Sequence, residues 1–378
     1  MWLSDILNRR QVQSVVWFHT DHWEPWAAGV TDQSARQVDA FISQSASSRF
    51  ARRSSLFYLV GPDYELTDGP QSPGISLPGD VVEFRQRSAA NDRRASECVG
   101  NVRAALPVEF QLHLHHEQLT YNNRDWNDIH QVVRQHTDAE RDEQRFRLLL
   151  QLSLDTARRD TGLPLDRWAF IHGNWGLNGS DPDVCHIFNE IMILTEYGCW
   201  GDFTFPAGNP DCDPRRLERP YSFKPFVGAR CYDSDEGEPK PVDVGTRVLG
   251  PDRFLVWNAR AKHDVGSLDT GSANHRARLR NRNRIVSTWL RDSPVLGNIL
   301  YIKTYAHCMD VCYYEDGAKM PFADRDVVAI FDLLEAACDG AGVELRVSTV
   351  DEVHAALRAV DSGESGRAQR PGNGGENS

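Results

Sequence analysis

Short apolar runs and longer amphipathic stretches take turns along this chain, and their order predicts its elements. VQSVVWFH at 12–19 reads as a strand, and the stretch from Thr31 to Ala46 reads as a helix with Thr31 as its cap. A second strand, SLFYLVG, ends at Gly61 and opens into a Pro-, Gly- and Asp-rich loop reaching Gly79. A polar helix over 91–105, the strand VEFQLHL at 108–114 and a long amphipathic helix from Ala139 to Asp160 follow, the last closed by Thr161, Gly162 and Pro164. RWAFIHG at 167–173 and CWGDFTFP at 199–206 read as strands on either side of a helix over 186–198 that stops at Gly198. The alternation continues with RFLVWNA at 253–259, a basic helix over 276–292, NILYIKTY at 298–305, a helix over 324–339 and VELRVSTV at 343–350.

Strands separated by helices imply a mainly parallel sheet, because a parallel neighbour needs a crossover and a helix is its usual form. The predicted fold is α/β, a closed or nearly closed β/α barrel in one domain over residues 1–360. Its length suits such a unit. Residues 209–250, rich in Pro, Asp and Gly, are expected to form an insertion over one face of it, and 361–378 to be a disordered tail.

Composition narrows the partners. Asp and Glu total 54 against 42 Lys and Arg, a net charge of −12, and such a chain does not attract phosphate; nucleic acid and anionic membranes are therefore not expected, and a small or carbohydrate substrate is. The run RARLRNRNR is the one basic patch and reads as a solvated helix face. No apolar run approaches membrane-spanning length and the N-terminus lacks a secretory pattern, so the expected compartment is the cytoplasm. The eight cysteines are scattered without a CxxC pair and are expected to be reduced thiols with no role as ligand or nucleophile.

Candidate chemistry gathers at the C-terminal ends of the predicted strands, which share one face of a β/α barrel. HTDHWEPW brings His19, Asp21 and His22 together where the first strand is expected to give way to a turn. HLHHE supplies His113 and His115 on one strand face, then His116 and Glu117 where the chain turns. Imidazole and carboxylate suit zinc and other divalent ions, and a catalytic site of that kind needs about three protein ligands and an open position. His307, after NILYIKTY, is a candidate acid or base. His172, Asn174 and Asp202 are candidate substrate contacts, Gly173 leaves room for close approach, and Trp23, Trp26 and Trp175 could wall a sugar ring.

In order, these motifs resemble the polysaccharide deacetylase family of chitin and peptidoglycan deacetylases, within a glycoside hydrolase/deacetylase superfamily of distorted (β/α)7 barrels. The resemblance covers residues 12 to 350. It implies that Asp21 matches the catalytic base, with His19 as another candidate, that His22 replaces a metal-binding aspartate, and that His113 matches the first histidine of a His-x-x-x-His pair. Asp21 could instead bind the metal, and the remaining ligand is Glu117 or a shifted His115 or His116. His307 matches the late catalytic acid. The implied activity is hydrolysis of an N-acyl group, probed against two rivals: glycosidic cleavage, and a silent carbohydrate-binding barrel.

Overall fold

The computed structural model describes residues 2–26, 29–60, 88–115, 139–181, 185, 187–245, 248–260, 263–309 and 321–358. The expected loop ending at Gly79 and the expected tail lie outside the described residues. The first half of the chain carries α1 (Leu3–Arg9), β1 (Ser14–Trp23), α2 (Asp32–Ala46), β2 (Ser55–Tyr58), α3 (Ala89–Ala105), β3 (Glu109–Leu114), α4 (Ala139–Thr161), β4 (Trp168–His172), α5 (Glu190–Glu196) and β5 (Cys199–Asp202). The second half carries β6 (Tyr221–Phe223), β7 (Lys240–Pro241), β8 (Phe254–Val256), α6 (His263–Gly266), α7 (Ala273–Leu279), α8 (Arg282–Asp292), β9 (Val295–Leu296), β10 (Ile299–Ala306), α9 (Arg325–Ala341), β11 (Glu344–Ser348) and α10 (Val350–Arg358).

The eleven strands of the described residues join one sheet in the order β7-β6-β8-β5-β4-β3-β2-β1-β10-β9, with β11 also pairing β1. From β8 to β10 the neighbours are parallel, while β6, β7 and β9 are antiparallel additions. β1 is the hub. One side of it pairs with β10 along Ser14 to Asp21; the other pairs with β11 at its base, Ser14 to Phe18, and with β2 at its top, Thr20 to Trp23.

The sheet curls without closing its hydrogen-bonded path. Val16 and Phe18 of β1, Phe57 of β2, Ile171 of β4, Leu255 of β8 and Tyr301 of β10 meet in one inner apolar cluster. Trp257, just past β8, lies edge-on to Phe18 across the interior, ring centroids 4.8 Å apart. The alternate set, Val15, Trp17, Leu56, Phe170, Val256 and Ile302, faces the other way and packs with buried residues of α2, α4 and α9. Period-two alternation is therefore satisfied on both faces, each apolar, as expected for a sheet covered by helices outside and by itself inside. Full burial of each large inner side chain contributes about 1.5–3 kcal/mol.

Four expectations need correction. β1 does not end at His19 but runs to Trp23, so HTDHW is strand and not turn. Residues 209–250 are more than a covering loop, since β6 and β7 extend the sheet beyond β8. The basic helix is two helices, α7 and α8, broken at Asn281, whose side chain accepts the amide of Arg284. CWGDFTFP yields only the short β5, because the Thr204 amide turns back onto Asp202 Oδ1 at 3.1 Å. Among the described residues no helix is long and apolar enough to cross a membrane, and no disulfide links the cysteines.

Candidate metal and proton-transfer site

The extra length of β1 decides which side chains meet. Successive residues of a strand point to opposite faces. His22 follows Val16, Phe18 and Thr20 on the inner face, and Glu24 joins it there just beyond the strand; His19 and Asp21 follow Val15 and Trp17 toward the helices. From β3, His113 and the next residue but one, His115, reach the same inner space. The Glu24 carboxylate lies 3.1 Å from His113 Nε2 and 3.6 Å from His115 Nε2, and the two Nε2 atoms are 2.9 Å apart. His22 completes the group: one ligand atom each from His22, Glu24 and His113 fits within 4.8 Å.

The hydrogen-bond directions are informative. His113 Nδ1 sits 2.9 Å from the carbonyl oxygen of Ile171, which can only accept, so that nitrogen carries the ring proton. Burial and the neighbouring His115 push His113 below the usual histidine range, against the pull of Glu24, so the ring is neutral and its Nε2 presents a lone pair. That lone pair faces a carboxylate oxygen. Without an ion, a proton on His115 Nε2 can bridge the two acceptors; a divalent cation would satisfy all three atoms at once. Ligands about 2.0–2.1 Å from a tetrahedral zinc lie about 3.3 Å from one another, and the three separations here bracket that length.

His22 is also held neutral. Burial, then His307 and His113, drive it well below the ordinary range, with Lys303 adding to the effect and Glu24 opposing it. Burial alone would raise Glu24, but the adjoining imidazoles of His113 and His115 hold its carboxyl well below the usual range. A neutral His113 and an ionised Glu24 are in the protonation states a metal requires.

His307 closes the group from β10. Its ring lies 4.5 Å from that of His22, centroid to centroid. Its Nδ1 is 3.2 and 3.3 Å from the two oxygens of Asp269, which also accepts the His307 backbone amide at 2.8 Å and the Ser267 hydroxyl at 2.8 Å. Although burial opposes it, the charge and hydrogen bonds of His307 keep Asp269 far below the normal carboxylate range. Asp269 is delivered by a segment laid alongside β10, where Ser267 bridges to Tyr305. His307 and His115 are about a fifth exposed while His22, Glu24 and His113 are buried, so these two histidines mark the way in.

Gly173 shapes the wall. A methyl built on it would overlap His115 Cγ and lie 2.6 Å from Cδ2 and 2.7 Å from Nδ1, so only glycine leaves this ring its place. The room expected there for a substrate is filled by His115. Deeper in, Lys303 donates to the carbonyl oxygens of Phe203 and Phe205, and burial pushes it down to about 7; burial pushes its neighbour Asp202 up to about 7, with Thr204 and Lys303 resisting.

The other sequence candidates are placed as follows. His19 and Asp21 pair at 3.2 Å on the helix-facing side, where His19 also meets Thr304 Oγ1 and Asp21 receives the Cys308 amide; they brace β1 against β10 and do not reach the inner group. His172 faces outward near Glu190. Trp23 and Trp26 are buried against Tyr58 as core, not as a sugar-facing wall. Trp175 is exposed and Asn174 adopts a positive φ of 56° beside it. Asp202 accepts the Thr204 hydroxyl at 2.6 Å. His116 and Glu117 lie outside the described residues. Glu24 and Asp269 were not among the candidates. Glu24 could have been found by continuing the alternation from Phe18 through His22; Asp269, brought in from a loop, left no such signal.

No protein-family model, no curated protein and no solved structure matches this chain.

Proposed function

We propose that the protein is a metal-dependent hydrolase that removes an acyl group, most simply acetyl, from an N-acylated sugar or related small amide. The observation that carries this reading is the convergence of Glu24, His113 and His115 on one point, with the His307–Asp269 pair facing it past His22. Glu24, His113 and His115 would hold a divalent ion, zinc being suited to two imidazoles and a carboxylate. Such an ion supplies polarisation of the amide carbonyl and a water of lowered pKa.

The remaining groups divide the proton work. His22, neutral and inside, accepts the proton of the attacking water. His307, with Nδ1 committed to Asp269, delivers a proton from Nε2 to the departing nitrogen, so the amide and water become an amine and a carboxylic acid. The glycosidic rival needs a carboxylate poised as nucleophile or acid. Here Glu24 is tied to two imidazoles and Asp269 to a third, which favours amide hydrolysis.

The seven mutually parallel strands β1, β2, β3, β4, β5, β8 and β10 also fit an opened (β/α)7 barrel with its site at the C-terminal strand ends. The test is elemental analysis of the purified protein, followed by an acetate-release assay on N-acetylated sugars and amines before and after chelation. Activity should vanish on chelation and return with zinc or another divalent ion. His113→Ala should lose the ion, whereas His307→Ala should keep it and lower kcat about 10²–10⁴-fold. Undiminished turnover by the metal-free protein would overturn the reading.

A further inference from the structure

A second trio lies back to back with the first, on the helix-facing side of β4. His172, Cys185 and Glu190 are all buried, and one ligand atom from each fits within 4.8 Å. His172 Nε2 is 3.6 Å from Glu190 Oε1, and Cys185 Sγ is 3.8 Å from Glu190 Oε2. These separations are long for hydrogen bonds between a ring nitrogen or a thiol and a carboxylate. They are close to the edge of a zinc tetrahedron, about 3.3–3.6 Å for ligands at about 2.0–2.3 Å from the ion.

The surroundings aim all three ligands. His172 Nδ1 contacts the Gly173 carbonyl oxygen, which fixes the proton there and turns the Nε2 lone pair toward Glu190, as Ile171 does for His113. The Asn178 amide donates to Glu190 Oε2 at 2.5 Å, and its side chain ties down the first turn of α5 by accepting the Ile191 amide at 3.0 Å. The Gly179 amide donates to Cys185 Sγ at 3.4 Å. Outer contacts of this sort orient metal ligands.

We propose that His172, Cys185 and Glu190 bind a second divalent ion of the zinc type, which ties the end of β4, Cys185 and the start of α5 together. This ion would be structural. It would hold rigid the turn that begins at Gly173, and thereby the wall against which His115 rests. The inference concerns residues outside the hydrolytic group and stands or falls separately from it.

Cobalt substitution of the whole protein separates the two sites, because only the second contains sulfur. The cobalt-loaded protein should show a thiolate-to-cobalt charge-transfer band and about two ions per chain. Glu24→Gln combined with His113→Ala should retain one ion and the band; Cys185→Ser should retain one ion without it. A loaded wild-type protein lacking the band would overturn the proposal, with no variant needed. So would a folded Cys185→Ser protein that keeps both the band and the full ion count.

Discussion

His113 and His307 each commit one ring nitrogen to a fixed acceptor, Ile171 O in one case and Asp269 in the other, so the second nitrogen of each can serve the site. Asp269→Asn keeps the shape but removes the charge that stabilises a protonated His307. It should leave metal content unchanged and reduce kcat by about 10²–10⁴-fold, the range for losing the partner of a catalytic imidazole; a loss confined to KM would contradict the role. Gly173→Ala acts on the ligand instead. The added methyl evicts the His115 ring, which is exposed enough to swing outward, so metal affinity should drop by about 10–100-fold in a chelator competition while the thermal midpoint moves little. At this scale the sequence told which residue types gather at the strand ends but not which share a face. Moving the end of β1 from His19 to Trp23 placed Asp21 and His22 on opposite sides of the sheet.

Elements were the most legible level, because local chemistry sets their limits. Thr31 caps α2 as its spacing implied, its hydroxyl accepting the Ser34 amide at 3.1 Å while the Ser34 hydroxyl accepts the Thr31 amide at 2.8 Å. Thr31→Ala should cost about 1 kcal/mol in chemical denaturation, with no change in activity. Gly342 stops α9 with a positive φ of 66° and Gly198 ends the α5 turn with 94°. What stayed hidden was set by distant partners. β6 and β7 exist because β8 offers an edge, and so short a pair as Tyr221–Phe223 and Lys240–Pro241 carries no periodic signal of its own. The segment that brings Asp269 to His307 owes its path to the backbone of Tyr305, to which the Leu268 amide donates at 2.8 Å.

For the molecule as a whole, buried histidines make acid costly. His22, His113 and His354 are all held below their ordinary value, first by burial, and His354, stacked on Trp200, is pushed down to about 4. For His354, between about 6.5 and 4, the unfolded chain binds a proton that the folded chain refuses, and His22 and His113 act in the same direction, so these groups make stability fall as pH falls below about 6.5. Glu109 works in the opposite sense. Burial raises it to about 7, so the folded chain keeps a proton that the unfolded one has released, and this contribution weakens stability as pH rises from about 4.5 to 7. Urea titrations of the metal-free protein should therefore show a shallower acid-side loss for His354→Gln than for the parent; an identical slope would rule out the histidine contribution.

The shared edge of β1 also has a consequence for synthesis. Ser14 is made 285 residues before Ile299 and 330 before Glu344, its two neighbours at the base of the sheet. Until those strands emerge the central strand waits with its lower half unpaired, and such exposed strand edges are open to wrong pairing. Chains ending before Gly342 should therefore collect in the insoluble fraction even though every residue of the inner histidine group has been made, and ribosome-bound chains of that length should remain protease-sensitive until β11 emerges.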